Sequence, residues 1–126
     1  MDQFQSTQPI YLQIMERIKK EIVAEKLLPT QQLPTVRELA LQYQVNPNTV
    51  QRALSELERL NLVKSDRTIG RFVTDDQSLI QSLKEQMIMD KVNTFVSELD
   101  QLKVSQEDSI NYLKQAFKER NNSWLN

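Results

Sequence analysis

A chain of 126 residues with 16 Lys+Arg against 17 Asp+Glu has a net charge of -1, no cysteine, no histidine and a single glycine. That length suits one compact domain with an appendage, and the missing residue types exclude a disulfide framework, thiol or imidazole catalysis, histidine or cysteine metal sites and a glycine-rich phosphate loop. No run approaches the roughly 18 apolar residues of a membrane span, and the N-terminus lacks the basic flank and apolar stretch of a secretory signal, so a cytoplasmic protein with no membrane partner is expected.

Residues 1–8 are polar and expected to be loose, apart from Phe4. A first helix is predicted from about Pro9 to Glu25, with Pro9 in its first turn, Tyr11, Met15, Ile18 and Ile22 as the packed stripe and Ile14 beside it. Lys19 and Lys20 read as ordinary solvated charges. Residues 27–34 form a proline-bracketed connection that carries Leu33 back to the core.

Residues 33–60 read as two helices separated by a four-residue break. Thr35 can cap the first, whose inward face is Val36, Leu39, Ala40 and Tyr43 at a 3.6-residue period. Asn46 is an N-cap candidate for the second, and Pro47 occupies the first helical position, where a missing N–H costs nothing. Val50, Ala53, Leu54, Leu57 and Leu60 make its buried side, with Val45 packing between the helices. Asn48, Gln51, Arg52 and Ser55 recur on the opposite side. The donor and acceptor forks of Asn, Gln and Arg match base edges in a major groove, although any solvated helix carries polar residues outside. Glu56 and Glu58 flank that stripe toward the far end of the helix.

Residues 62–73 then read as a small hairpin. Leu62 and Val63 start a strand, residues 66–70 supply a turn with the sole glycine, and Phe72 and Val73 return to the core, with Lys64, Arg67 and Arg71 clustered nearby. A helix-turn-helix followed by such a wing places its second helix in the major groove and its wing on phosphate or the minor groove.

Past the wing, Asp75 or Asp76 can cap one long helix whose apolar face includes Leu79, Leu83, Met87, Ile88, Val92, Phe95, Val96, Leu99 and Leu102. Ser105 and Asp108 resemble a capping box for a shorter last helix with Ile110, Leu113, Ala116 and Phe117 inward. Two helices make too thin a layer to bury such a stripe, so a partner subunit is expected on Leu83, Met87, Val92, Phe95, Val96 and Leu99. Trp124 and Leu125 either dock on that interface or fray. The expected architecture is mainly α with a small β-wing: a winged helix-turn-helix over residues 1–75 and a helical hairpin for dimerisation over residues 76–126.

Several runs in this order resemble the N-terminal domain of the GntR family of bacterial transcription regulators. They are Pro9-Ile10-Tyr11, the stretch LPTVRELA at 33–40, VNPNTV at 45–50 and GRFV at 70–73. The match covers about residues 8–74, and the short C-terminal part with the VNPNTV run looks most like the YtrA-type subfamily. The resemblance implies a homodimer that binds a two-fold symmetric DNA operator, usually as a repressor. By position it puts DNA contacts on Arg37, on Asn46, Asn48 and Thr49, with Gln51 and Arg52 following on the same helix, and in the wing on Arg67 and Thr68, with Gly70 shaping the turn; Thr35, close to Arg37, is grouped with this DNA-binding set. It also suggests target genes for ATP-driven membrane transporters. The chain departs from the family at Pro47, where an arginine is frequent, at Glu25 and Thr30, which are usually glycine, and at Thr68, which replaces a wing glycine.

The charge is spread unevenly but weakly: residues 1–75 hold 10 Lys+Arg against 9 Asp+Glu, and residues 76–126 hold 6 against 8. Non-specific affinity for phosphate should therefore be modest, and useful binding should need two domains on one duplex. The acidic pairs Glu56/Glu58, Glu98/Asp100 and Glu107/Asp108 belong to charged helix surfaces, so neither an enzyme nor a cofactor is expected. A small-molecule effector remains open; two helices leave little room for a pocket inside one subunit. Two classes of function stand: a DNA-binding regulator, and a winged-helix module in which Asn48, Gln51 and Arg52 face another polypeptide. A steep fall of binding with salt belongs to the first.

Overall fold

The computed structural model describes Phe4 and residues 7–125, with side chains to residue 122. The side chains of Trp124 and Leu125, assigned above to docking or fraying, lie outside the described residues. The chain runs α1 (Ile10–Val23), α2 (Val36–Tyr43), α3 (Pro47–Arg59), β1 (Val63–Asp66), β2 (Gly70–Val73), α4 (Gln77–Gln101) and α5 (Gln106–Leu125). It is a mostly helical protein with a small antiparallel wing ahead of two C-terminal helices, as the periodicities require. It divides into two compact units, residues 1–85 and 86–126.

The first unit is built around α3, whose Val50, Ala53, Leu54 and Leu57 are completely buried. α1 and α2 pack on it, contributing Ile14, Met15, Ile18 and Ile22 from α1 and Leu39, Ala40 and Tyr43 from α2. Ile14, expected beside the α1 stripe, is at its centre with no exposed surface, while Tyr11 at the first turn is only half buried. Pro9 is the N-cap of α1, one position earlier than expected. Leu79, Ile80 and Leu83 at the start of α4 also pack against this core. Leu83, grouped above with the interface residues, therefore contributes to the winged unit.

Helix ends explain how the layers connect. Thr35 and Glu38 form a complete capping box on α2, with the Glu38 amide donating to Thr35 Oγ1 at 3.1 Å and the Thr35 amide to the Glu38 carboxylate at 3.0 Å. The Thr35 amide first, and the Thr35 side chain after it, hold the Glu38 carboxyl below its ordinary range. The C-termini of α1, α3 and α4 close with paired backbone bonds in the Schellman pattern, from Lys26 and Glu25, Leu62 and Asn61, and Val104 and Lys103. The left-handed residue in these three is Glu25, Asn61 or Lys103, and α2 ends likewise on Gln44. Glycine normally serves there, and this chain has one glycine in all. Glu25 and Thr30, where the family resemblance leads one to expect glycine, both have a positive φ.

The wing pairs Val63 with Val73 and Asp66 with Gly70. The α1–α2 connection adds a partial third strand that sequence reading did not anticipate: Gln32 bridges to Phe72, Leu33 N–H donates to the Arg71 carbonyl, and Val73 N–H donates to the Gln31 carbonyl. Leu33 is buried by this pairing, as its place in the sequence suggested. α4 then starts on Asp76, whose carboxylate accepts from the Leu79 amide at 3.0 Å.

In the second unit the remainder of α4 faces α5 across a short turn. Ser105 Oγ accepts from the Asp108 amide at 3.1 Å and so opens α5. Between the helices lies a groove of about 660 Å³ lined by Val92, Phe95, Val96, Leu99, Ile110, Leu113 and Phe117 among others. Phe95 is 42% exposed and Val96 56%. Met87, further back along α4, is half buried.

Candidate nucleic-acid interface

The outer face of α3 is prepared by its first turn. Asn46 Oδ1 accepts from the Asn48 amide at 2.8 Å, and Pro47 takes the first helical position. The Asn46 side chain is thereby committed to the cap, as the Thr35 hydroxyl is on α2. Because the opposite side is wholly apolar, Asn48, Gln51, Arg52 and Ser55 are held in solvent, with Thr49 half buried at the margin. Gln51 Nε2 donates to Ser55 Oγ at 3.2 Å, which lays the amide along the helix.

The cations separate into two groups. Arg59 pairs with Glu56 at 2.9 Å and Arg71 with Glu58 at 2.7 Å. Among the described residues no carboxylate lies within ion-pair distance of Arg37, Arg52 or Arg67, and all three are exposed. Arg52 instead sets its guanidinium 3.9 Å from the centre of the Tyr11 ring. Arg17, well away from this face, lies over Phe4 and Tyr43.

The wing tip is organised by Asp66. Its Oδ1 accepts from the Thr68 hydroxyl at 2.6 Å, the Thr68 amide at 2.8 Å and the Ile69 amide at 3.2 Å. These bonds, that from the hydroxyl foremost, hold its carboxyl below the usual range. Gly70 follows at φ +97°, where a side chain would be strained, and Gln32 Nε2 donates to the Ile69 carbonyl at 2.5 Å. Arg67 therefore projects from a turn closed from both sides. One strand pair below the wing tip the Glu58 carboxylate accepts from Arg71 and from the Ser65 hydroxyl. Burial, the largest single influence on Glu58, pushes its pKa up, but those bonds and the Arg71 charge outweigh it and the net direction is down.

Thus Asn48, Gln51 and Arg52 share one exposed face, Arg67, Thr68 and Gly70 share the wing tip, and Arg37 stands at the start of α2. Four supporting residues were not legible as such: Tyr11 reads as a core aromatic, Gln32 as a loop residue, Glu58 as a surface acid and Asp66 as a turn former. Only Asp66 carried a signal, an Asp two residues ahead of a Thr in a turn.

The family model described as "Bacterial regulatory proteins, gntR family" matches residues 10–73, half of the chain. The chain belongs to the GntR family. This GntR-family protein is 40% identical over 113 residues to the HTH-type transcriptional regulator YhcF of Bacillus subtilis, covering 90% of this chain and 93% of that one. It is 33% identical to the HTH-type transcriptional repressor YtrA of the same organism, over 68% and 72% of the two chains. A solved GntR family transcriptional regulator from Listeria monocytogenes superposes with a TM-score of 0.83 at 35% identity, covering 89% and 98%. The DNA-binding domain of AraR, solved in complex with operator ORX1, matches with a TM-score of 0.53 at 34% identity over 56% of this chain and 92% of that one. Fold and family are those of a regulatory winged helix-turn-helix protein. Among the described residues no helix is long and apolar enough to cross a membrane.

Proposed function

We propose that this GntR-family protein is a sequence-specific, operator-binding transcription regulator of the YtrA type, acting as a homodimeric repressor. The observation that carries the proposal is α3: a capped helix with a fully buried apolar side and an outer stripe of Asn48, Gln51 and Arg52, flanked by the exposed cations Arg37 and Arg67. Such a stripe can form bidentate bonds to base edges, while Arg37 and Arg67 are suited to phosphate, which sets position rather than sequence. The operator of AraR, a relative in fold and sequence, supports DNA as the partner. The repressor YtrA supports the sign of regulation and the subfamily.

In this reading residues 1–75 are the DNA-binding domain and residues 76–126 the dimerisation region. The dimer rests on the exposed groove of Val92, Phe95, Val96 and Leu99, an apolar surface that a second copy of the same hairpin would cover. The controlled operon is proposed to encode an ATP-driven membrane transporter, on subfamily resemblance alone. The test is selection of duplexes from a random pool, followed by titration of the winner at several salt concentrations. Enrichment of a two-fold symmetric site, with affinity falling steeply as salt rises, is expected. Failure to enrich any duplex, or salt-insensitive binding, would overturn the proposal in favour of a protein partner.

A further inference from the structure

Arg52, on the outer face of α3, is held by an aromatic ring. Tyr11 is fixed from behind, because Ile14, Met15 and Ile18 on the same helix are buried and α1 packs against α3. Its ring lies 3.9 Å from the Arg52 guanidinium carbon. We propose that Tyr11 is a positioning residue which holds the Arg52 fork at the edge of the recognition face and so sharpens discrimination among DNA sequences.

The argument rests on the reading of α3 as a DNA reader and adds a residue from a different helix. An ion pair would neutralise Arg52 and occupy its N–H donors, as happens at Arg59 and Arg71. An aromatic face does neither: it is attracted to the cation and leaves the in-plane donors free for a bidentate acceptor. Arginine also has many rotamers, and a side chain already confined loses less freedom when it meets a base. The ring should therefore favour the duplex that matches the confined geometry over those that do not.

Tyr11→Leu and Tyr11→Phe, each with and without Arg52→Ala, should be titrated against the duplex selected by the wild type and a scrambled duplex. A loss of about two- to fivefold in the selected-to-scrambled ratio is expected for Tyr11→Leu, the size of an exposed cation–ring contact. Tyr11→Phe should restore the ratio, and Tyr11→Leu should change it no further once Arg52 is alanine. In the free protein the Arg52 Nε–H should be ordered on the nanosecond scale in the wild type and Tyr11→Phe and mobile in Tyr11→Leu. An unchanged ratio, an equal loss in the Arg52→Ala background, a Tyr11→Phe as poor as Tyr11→Leu, or an Arg52 Nε–H indifferent to Tyr11 would each overturn the role while leaving DNA binding intact. A wild type that prefers no duplex would remove the functional reading and this role together, and the Arg52 relaxation would still report whether the ring holds the side chain.

Discussion

Glu58 fastens the wing to the recognition helix by accepting from Arg71 and Ser65, 13 and 7 residues away along the chain. Its pKa is lowered in the folded protein from 4.5. The contribution to stability is thus present above the unfolded-state pKa and is lost as pH falls through the lower, folded one. Glu58→Gln should cost about 1 kcal/mol near neutral pH, the upper end for a partly exposed pair. The gap in stability between variant and wild type should close as urea titrations are moved below pH 4.5; a gap of constant size down to pH 2 would show that the charge is not responsible. Thr30 tests a backbone effect. It is β-branched and has φ +68°, a conformation that costs a non-glycine residue about 1–2 kcal/mol, against roughly 0.5–1 kcal/mol lost through the freer unfolded chain when glycine replaces it. Thr30→Gly should therefore stabilise by about 0.5–1 kcal/mol, and a drop in the urea midpoint would contradict this.

At the scale of elements, α2, α3 and the wing are proposed to divide the work between position and sequence. Arg37 and Arg67, exposed and without a carboxylate partner among the described residues, should contact phosphate; each alanine variant should weaken selected and scrambled duplexes alike and reduce the salt slope by about one unit. A change confined to the selected duplex would reassign the residue to base reading. The helices were legible in the chain because their signals are local: Asn46 and Pro47 start α3, Thr35 and Glu38 close a box within one turn, and the apolar stripes repeat every three or four residues. The wing was legible from Gly70 and the alternation around it. What escaped was long-range. Gln32 meets Ile69 across 37 residues, Tyr11 meets Arg52 from another helix, and Glu58 looks like any solvated acid until the hairpin folds back on it. No period or cap encodes these pairings, since they arise only once α1, α3 and the wing share a core. Arg71, which in the sequence clusters with Lys64 and Arg67, is drawn to Glu58 for the same reason.

At the scale of the whole molecule, the groove between α4 and α5 is an uncovered apolar surface. Phe95 lines it and remains 42% exposed, so a second copy is the occupant we propose. Phe95→Asp would put a carboxylate into that interface and should turn a micromolar dimer into a monomer in sedimentation equilibrium, with the winged unit still folded. A variant that dimerises as tightly as the wild type would move the interface elsewhere. In the proposed dimer, two-fold symmetry would also set how DNA is read, presenting two copies of Asn48, Gln51 and Arg52 to half-sites related by the same axis. The most direct test of that claim is a titration of the wild-type protein on the selected duplex, on the same duplex with one half-site scrambled, and on one with only the spacer changed. Loss of most of the affinity on scrambling a half-site, with a much smaller effect of the spacer, is predicted; equal affinity for the intact and half-scrambled duplexes would contradict it.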